Sequence, residues 1–249
     1  MNELLNLPMA MDERSAAMLA EYGCRPHPFQ RDEFQLLLDN GFFIDIDNRV
    51  ELVDGEIVEK DSGQPVLFSG DEVYRMTDLH LFEEIRFELI EGEIIEMPGQ
   101  KNVHAAGIMK TFRALDPIFI SSQFWVRIQM TLDLRPLSSL DPDIAVVKGD
   151  PNHPTLNNPT TALLIVEVSN TSLRFDRRIK GPIYAAAGIE EYWILNLNDR
   201  QLEVYRRPQA DPTAGSGMSY AESTVFHPGD FVAPLAAGNV EIAVADLLP

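Results

Sequence analysis

Cysteine and positive charge are both scarce in this 249-residue chain. The single cysteine, Cys24, excludes an internal disulfide, and no Cys/His cluster points to zinc. Lys and Arg number 20 against 39 Asp and Glu, for a formal net charge of −19. That balance repels polyanions at long range and withholds the many Lys/Arg contacts on which sequence-independent nucleic-acid binding depends. Any chemistry on nucleic acid must then rely on a local basic patch. Also missing is a run of roughly 18–20 apolar residues, the length of a membrane span. Met1 to Met11 lack the charged start and long apolar stretch of a signal peptide. The expectation is a cytoplasmic protein with no membrane partner.

What is present suffices for a core. Hydrophobic residues make up 45% of the chain, which excludes global disorder. The length fits one large domain, or one domain with a substantial appendage.

An internal repeat organises the first half. Arg49-Val-Glu-Leu-Val-Asp-Gly-Glu-Ile-Val-Glu-Lys60 matches Arg86-Phe-Glu-Leu-Ile-Glu-Gly-Glu-Ile-Ile-Glu-Met97 at seven of twelve positions. Upstream, Phe29-Gln-Arg-Asp-Glu33 parallels Phe68-Ser-Gly-Asp-Glu72. Each copy predicts a short helix, a strand, a tight turn and a second strand. Gly55 and Gly92 make the turns, after Asp54 and Glu91. Two copies are too few for a solenoid. The expected division is an N-terminal extension, residues 1–66, carrying the first copy, and a main domain, residues 67–249. A short helix is also expected over Asp12 to Tyr22.

Further along, His104, Ile108, Phe112 and Leu115 share one face of a helix over Asn102 to Leu115. Trp125 to Leu134 alternates, with Val126, Ile128, Met130, Leu132 and Leu134 opposite Arg127, Gln129, Thr131 and Asp133. That pattern predicts one half-buried strand. Asp143 opens the strand Ile144-Ala-Val-Val147, and a Pro/Asn-rich loop follows. Leu163-Leu-Ile-Val-Glu-Val168 is apolar but for one acid, as in a central strand buried on both faces. Pro182 to Ala187 predicts a helix ended by Gly188. Glu191 to Leu197 and Gln201 to Arg206 predict two strands turning at Asn198-Asp199, and the tail holds one or two edge strands. The fold class is α/β or α+β with a mixed central sheet and added hairpins.

Glu167 is the sharpest anomaly, because an unpaired carboxylate in a central strand costs several kcal/mol. Two readings fit it: a structural ion pair, or one member of a site. Asp143 alone reads as a turn acid beside Pro142. If its strand neighbours that of Glu167, the two carboxylates suit a hard divalent cation, Mg²⁺ or Mn²⁺. Arg174-Phe-Asp-Arg-Arg-Ile-Lys180 follows directly and sets four basic residues against one acid. Lys180 could polarise an attacking water, while Arg174, Arg177 and Arg178 could contact a phosphate backbone. The bland alternative is a solvated helix start with an ion pair to Asp176. Gln129 and Arg127 could reach the same place or form a wet sheet face. His104, on an apolar helix face, reads first as a structural histidine. Glu93 is an accessory acid whose twin, Glu56, suggests a requirement of the fold.

Taken together, these segments resemble the Uma-two family of restriction-endonuclease-like proteins, within the PD-(D/E)-x-K nuclease superfamily. The resemblance covers roughly residues 67 to 248. It rests on Arg86–Met97, His104, Gln129, Pro142-Asp143-Ile-Ala and Ile165-Val-Glu-Val-Ser169. It continues through Asp176, Lys180-Gly-Pro-Ile-Tyr-Ala185 and Ala187-Gly-Ile-Glu-Glu-Tyr-Trp193. It implies a core of order αβββαβ, with Asp143 and Glu167 as the metal-binding acids. The superfamily's lysine would stand at position 169, which here is Ser169; Lys180 on the following helix corresponds to it. The expected catalytic set is Asp143, Glu167, Lys180 and Gln129, with Glu93 and His104 accessory. The implied activity is Mg²⁺-dependent DNA endonuclease, and fold analogy suggests a homodimer. Two rival readings stand beside it: a catalytically inactive nuclease fold kept for binding or assembly, and a hydrolase of a smaller phosphodiester.

Overall fold

The computed structural model describes residues 22–47, 49–120 and 123–249. The helix expected over Asp12–Tyr22 falls, but for Tyr22, outside them. Two compact units divide the chain. One comprises residues up to Gly99 together with Arg135–Ser139; the other comprises Gln100–Leu134 and Leu140–Pro249. The division at residue 66, drawn from the repeat, lies inside the first unit.

In that unit the two copies fold alike. Strand β1 (Arg25–Pro26) precedes helix α1 (Arg31–Asp39) and the hairpin β2 (Val50–Val53) and β3 (Glu56–Glu59). The second copy is α2 (Gly70–Asp78) with β4 (Phe87–Ile90) and β5 (Glu93–Glu96). Capping boxes start both helices, Gln30 with Glu33 and Ser69 with Glu72, so orphan N–H groups are satisfied locally. In both hairpin turns the two central residues have positive φ: Asp54 at 50° and Gly55 at 89°, Glu91 at 51° and Gly92 at 94°. This is the turn whose twist matches paired strands, and it explains the repeated glycine. A Cβ on Gly92 would also lie 2.7 Å from Leu67 Cβ.

The copies interlock reciprocally. His27 N–H donates to Ile94 O of the other copy's hairpin, and Val66 N–H donates to Ile57 O, both at 2.8 Å. Two residues on, Phe29 N–H reaches Gly55 O and Phe68 N–H reaches Gly92 O, again at 2.8 Å. Each leading segment thus pairs first with its neighbour's hairpin and then with its own. Phe29, Leu37 and Ile57 share one core with Phe68, Met76 and Ile94. Neither copy could bury its apolar face alone.

The second unit opens with α3 (Asn102–Phe119) and β6 (Phe124–Ile128). After β7 (Leu132–Arg135) and β8 (Ser138–Leu140) come β9 (Ile144–Lys148) and β10 (Leu164–Ser169). A helical segment then runs through α4 (Leu173–Phe175), a π-turn (Asp176–Lys180) and α5 (Gly181–Ala186), and leads into β11 (Glu191–Asn196). The order α3, β6, β9, β10, helix, β11 is the expected αβββαβ. Strands β12 (Gln201–Ala210) and β13 (Met218–Phe226) extend the sheet. Its six described strands lie in the order β13-β12-β11-β10-β9-β6, with β10 and β11 parallel and the rest antiparallel. One face packs Ile108, Leu115 and Phe119 of α3 against Val126, Val146 and Val166.

Three expectations are corrected. Trp125–Leu134 is not one strand, because Gln129 has φ 48° and ends β6. Strand β13 was not foreseen: its Met-Ser-Tyr-Ala-Glu-Ser-Thr-Val-Phe run is partly to fully exposed and carries no apolar alternation. The tail strands β14 (Phe231–Val232) and β15 (Ile242–Ala243) pair with each other instead of extending the main sheet. Among the described residues, no helix is long and apolar enough to cross a membrane.

Candidate active site

Strand register builds the site. In the antiparallel β9–β10 pair Val166 faces Ile144, so the next pair in register is Glu167 and Asp143. In the β6–β9 pair Ile128 faces Ile144, so Gln129 is next beside Asp143. Gln129, Asp143 and Glu167 therefore form one row across three neighbouring strands, on one face of the sheet. Hydrogen bonds fix the row. Gln129 Nε2 donates to Asp143 Oδ1 at 3.1 Å, and Val168 N–H donates to Asp143 Oδ2 at 2.8 Å. Asp143 N–H points at Glu167 Oε2 from 3.4 Å.

The helical segment after β10 covers this face and adds two donors. Lys180 Nζ lies 3.1 Å from Glu167 Oε1, and Tyr184 Oη donates to the same oxygen at 2.6 Å. From the first turn of α3, His104 Nε2 approaches Asp143 Oδ2 at 2.9 Å, while its Nδ1 is buried without a hydrogen-bond partner. His104, which its helix face suggests is structural and the resemblance makes accessory, thus lies beside Asp143. Asp176, four residues before Lys180, accepts from Ser172 Oγ at 2.7 Å. Burial raises its pKa to about 6, with Asp143 adding to the rise and Lys180 and Ser172 opposing it.

The cluster is closed. Asp143, Glu167 and Lys180 are 5%, 3% and 4% exposed, so the groups converge without forming an open cleft. Carboxylates outnumber cations here, and that imbalance in a desolvated place favours a divalent cation. Among the described residues no three His, Cys, Asp or Glu side chains make a ready metal cage. Asp143 and Glu167 are the two oxygen donors that could hold a hard divalent ion such as Mg²⁺.

Not every expected residue joins them. Glu93 lies in the first unit, where with Glu56 and Asp54 it lines a cleft of about 270 Å³ between the repeat copies. Arg177 is bound to Glu203 through Nε at 2.7 Å and Nη2 at 2.6 Å, which raises its pKa. Arg174 and Arg178 are exposed on the same segment. Arg127 is not on a wet face, being 3% exposed and stacked 5.3 Å from the Trp125 ring. Its Nε and Nη1 are buried without hydrogen-bond partners, and burial lowers its pKa.

Buried acid alone does not mark a site in this sheet. Glu191 is fully enclosed, yet accepts from Arg206, Trp193 Nε1 and Leu235 N–H, a complete structural network. The sequence reading gives Tyr184 no role and Asp176 only that of an ion-pair partner. The signal was their spacing: Asp176, Lys180 and Tyr184 recur every four residues, one stripe of a helix.

Comparison with known proteins agrees with this fold. The family model of Uma2, described as "Putative restriction endonuclease", matches residues 71–245. The crystal structure of a "putative nuclease belonging to DUF820" from Anabaena variabilis ATCC 29413 superposes with a TM-score of 0.53. At 20% identity over 68% of this chain and 94% of that one, the likeness is one of fold. No curated protein matches the chain. By its fold and by the extent of the family match, the chain belongs to the Uma2 family of restriction-endonuclease-like proteins.

Proposed function

We propose that this protein is a metal-dependent endonuclease that hydrolyses phosphodiester bonds of DNA. The observation that carries the reading is the row Gln129–Asp143–Glu167 with Lys180 set over it. Asp143 and Glu167 would hold one Mg²⁺ or Mn²⁺. When bound, the ion supplies Lewis acidity toward the phosphate and a more acidic water. Gln129 and the Val168 N–H orient Asp143, and Lys180 supplies the positive charge that a developing phosphorane requires. Arg174 and Arg178 would position the nucleic-acid backbone, whereas Arg177 is committed to Glu203. Cutting both strands would take two such sites, which a homodimer provides.

The test is cleavage of supercoiled plasmid with and without Mg²⁺ or Mn²⁺, in the wild type and in Asp143→Asn, Glu167→Gln and Lys180→Met. Loss of metal-dependent cutting in all three variants is expected. Full activity in Glu167→Gln would sink the proposal.

A second reading is supported by the net charge of −19 and the closed site: a smaller phosphodiester as substrate. Side-by-side rates on plasmid, single-stranded oligonucleotide and bis(p-nitrophenyl) phosphate separate the two. A thermal shift on adding Mg²⁺ distinguishes both from a catalytically inactive binding protein, since an ion that binds only the folded state raises its stability.

A further inference from the structure

We propose that Arg127 is a substrate-binding cation of the candidate site, its guanidinium taking a phosphate oxygen of a phosphodiester beside Asp143 and Glu167. The proposal rests on the reading of that site as one for phosphodiester hydrolysis.

Strand register places the arginine. Arg127 of β6 faces Ala145 of β9, which in turn faces Ile165 of β10. Residues directly opposite in a sheet share a face, and so do residues two apart along a strand. The row Arg127–Ala145–Ile165 therefore lies on the face that carries Gln129, Asp143 and Glu167. Only two residues separate the rows, about 6.6 Å along the strand.

Arg127 differs from the arginines that serve structure elsewhere in this unit. Arg206 donates Nε and Nη2 to Glu191, and Nη2 also to Ala233 O. Arg177 donates Nε and Nη2 to Glu203. Each is taken up by a carboxylate. Arg127 is as deeply buried as the acids, yet its Nε and Nη1 have no hydrogen-bond partner. Burial disfavours its charge, which Asp141 and Asp133 support from nearby; neither carboxylate accepts from these two nitrogens. A buried donor without an acceptor costs its full desolvation, and more when it is charged. Native proteins keep such groups where a ligand or an ordered water completes them.

Trp125 holds the arginine. Arg127 Cζ lies over the indole ring, 5.3 Å from its centroid. A contact with an aromatic face restrains a guanidinium without using up its N–H donors. The group is thus fixed in place while two donors await an acceptor from outside the fold. That acceptor is anionic, since a guanidinium matches phosphate oxygens in charge and geometry. A phosphodiester is the anion that the neighbouring row of acids and Lys180 is read to process. Arg127, Asp143 and Glu167 are enclosed to the same degree, so one opening of this face admits substrate to all three.

The experiment compares the full-length wild type with Arg127→Met and Arg127→Lys. Metal-free thermal melts are run in inorganic phosphate and in chloride at matched ionic strength, and plasmid cleavage in Mg²⁺ gives KM and kcat. Phosphate is expected to raise the melting temperature of the wild type, as a ligand of the folded state does, and to leave Arg127→Met unmoved. In chloride Arg127→Met is expected to melt no lower than the wild type, a result that a structural arginine would not give. Its KM for plasmid should rise about tenfold or more with kcat little changed, the mark of lost ground-state binding. Arg127→Lys keeps the charge without the planar fork and should fall between the two. If Arg127→Met does not fold, Arg127→Lys decides, and a wild-type phosphate response and KM in it overturn the assignment. A folded Arg127→Met with the wild-type response overturns it as well, and so does a wild type that phosphate does not stabilise. A wild type that phosphate stabilises through Arg127 but that cuts no plasmid removes the nuclease reading and keeps the anion site.

Discussion

Gln129 and Asp143 meet at the point where backbone strain and site geometry coincide. Gln129 has φ 48°, ends β6, and donates its side-chain amide to Asp143 Oδ1 at 3.1 Å. A left-handed conformation costs a non-glycine residue about 1–2 kcal/mol, so strain is kept where it aims a functional group. Backbone and side chain can be separated by two substitutions. Gln129→Gly should be more stable than Gln129→Ala by about 1 kcal/mol in urea unfolding, because glycine relieves the strain. Both should lose Mn²⁺ affinity equally. Two variants that unfold alike would show the backbone to be unstrained there.

The buried pair Glu167–Lys180 should be strongly coupled. Removing either partner breaks an ion pair in a place less than 5% exposed, at a cost of about 3–5 kcal/mol. The double variant Glu167→Gln/Lys180→Met should be less destabilised than the sum of the single variants, since neither charge remains. A thermodynamic cycle from denaturant melts measures the coupling, and simple additivity would refute it.

Gly107 lies where α3 meets β10. Alanine usually stabilises a helix relative to glycine by about 0.5–1 kcal/mol. Here a Cβ would come within 2.7 Å of Val168 Cγ1, so Gly107→Ala should instead destabilise by about 1–3 kcal/mol through overpacking. Adding Val168→Ala should recover part of the loss in thermal melts. A stabilised Gly107→Ala protein would contradict this packing.

Asp176 makes stability depend on pH with a definite sign. Its pKa rises from an ordinary 3.8 to about 6, so between those values the native state binds a proton that the unfolded state has lost. The stability from its protonated form is fully present below about pH 4 and is lost as pH rises through 6. Asp176→Asn cannot titrate and should not share this loss. Urea melts from pH 4 to pH 7 should therefore show the wild type falling relative to the variant. A constant difference would mean that the carboxyl titrates normally.

Much of the site was legible because its chemistry violates the ordinary pattern of a strand. Glu167 interrupts an apolar run, and four basic residues stand together in a chain of net charge −19. Those signals could not separate Glu167 from Glu191 and Glu203, which are as deeply buried and held by arginines. The distinction lies in partners that arrive from elsewhere in the chain, and spacing along one strand carries no information about them.

By itself the sequence determined the core order αβββαβ, the two helix–hairpin copies with their glycine turns, and the acids and lysine of the candidate site. These follow from local rules: side-chain period, turn conformation, and the cost of a charge among apolar neighbours. Only the tertiary structure decided the rest. Strand register put Gln129, Asp143 and Glu167 in one row, a relation that slipping by one residue would destroy. Packing buried Arg127, brought His104 to Asp143, and placed Tyr184 and Lys180 on one oxygen of Glu167. Such contacts join residues far apart in the chain, and they exist only once the sheet and its covering helix have closed.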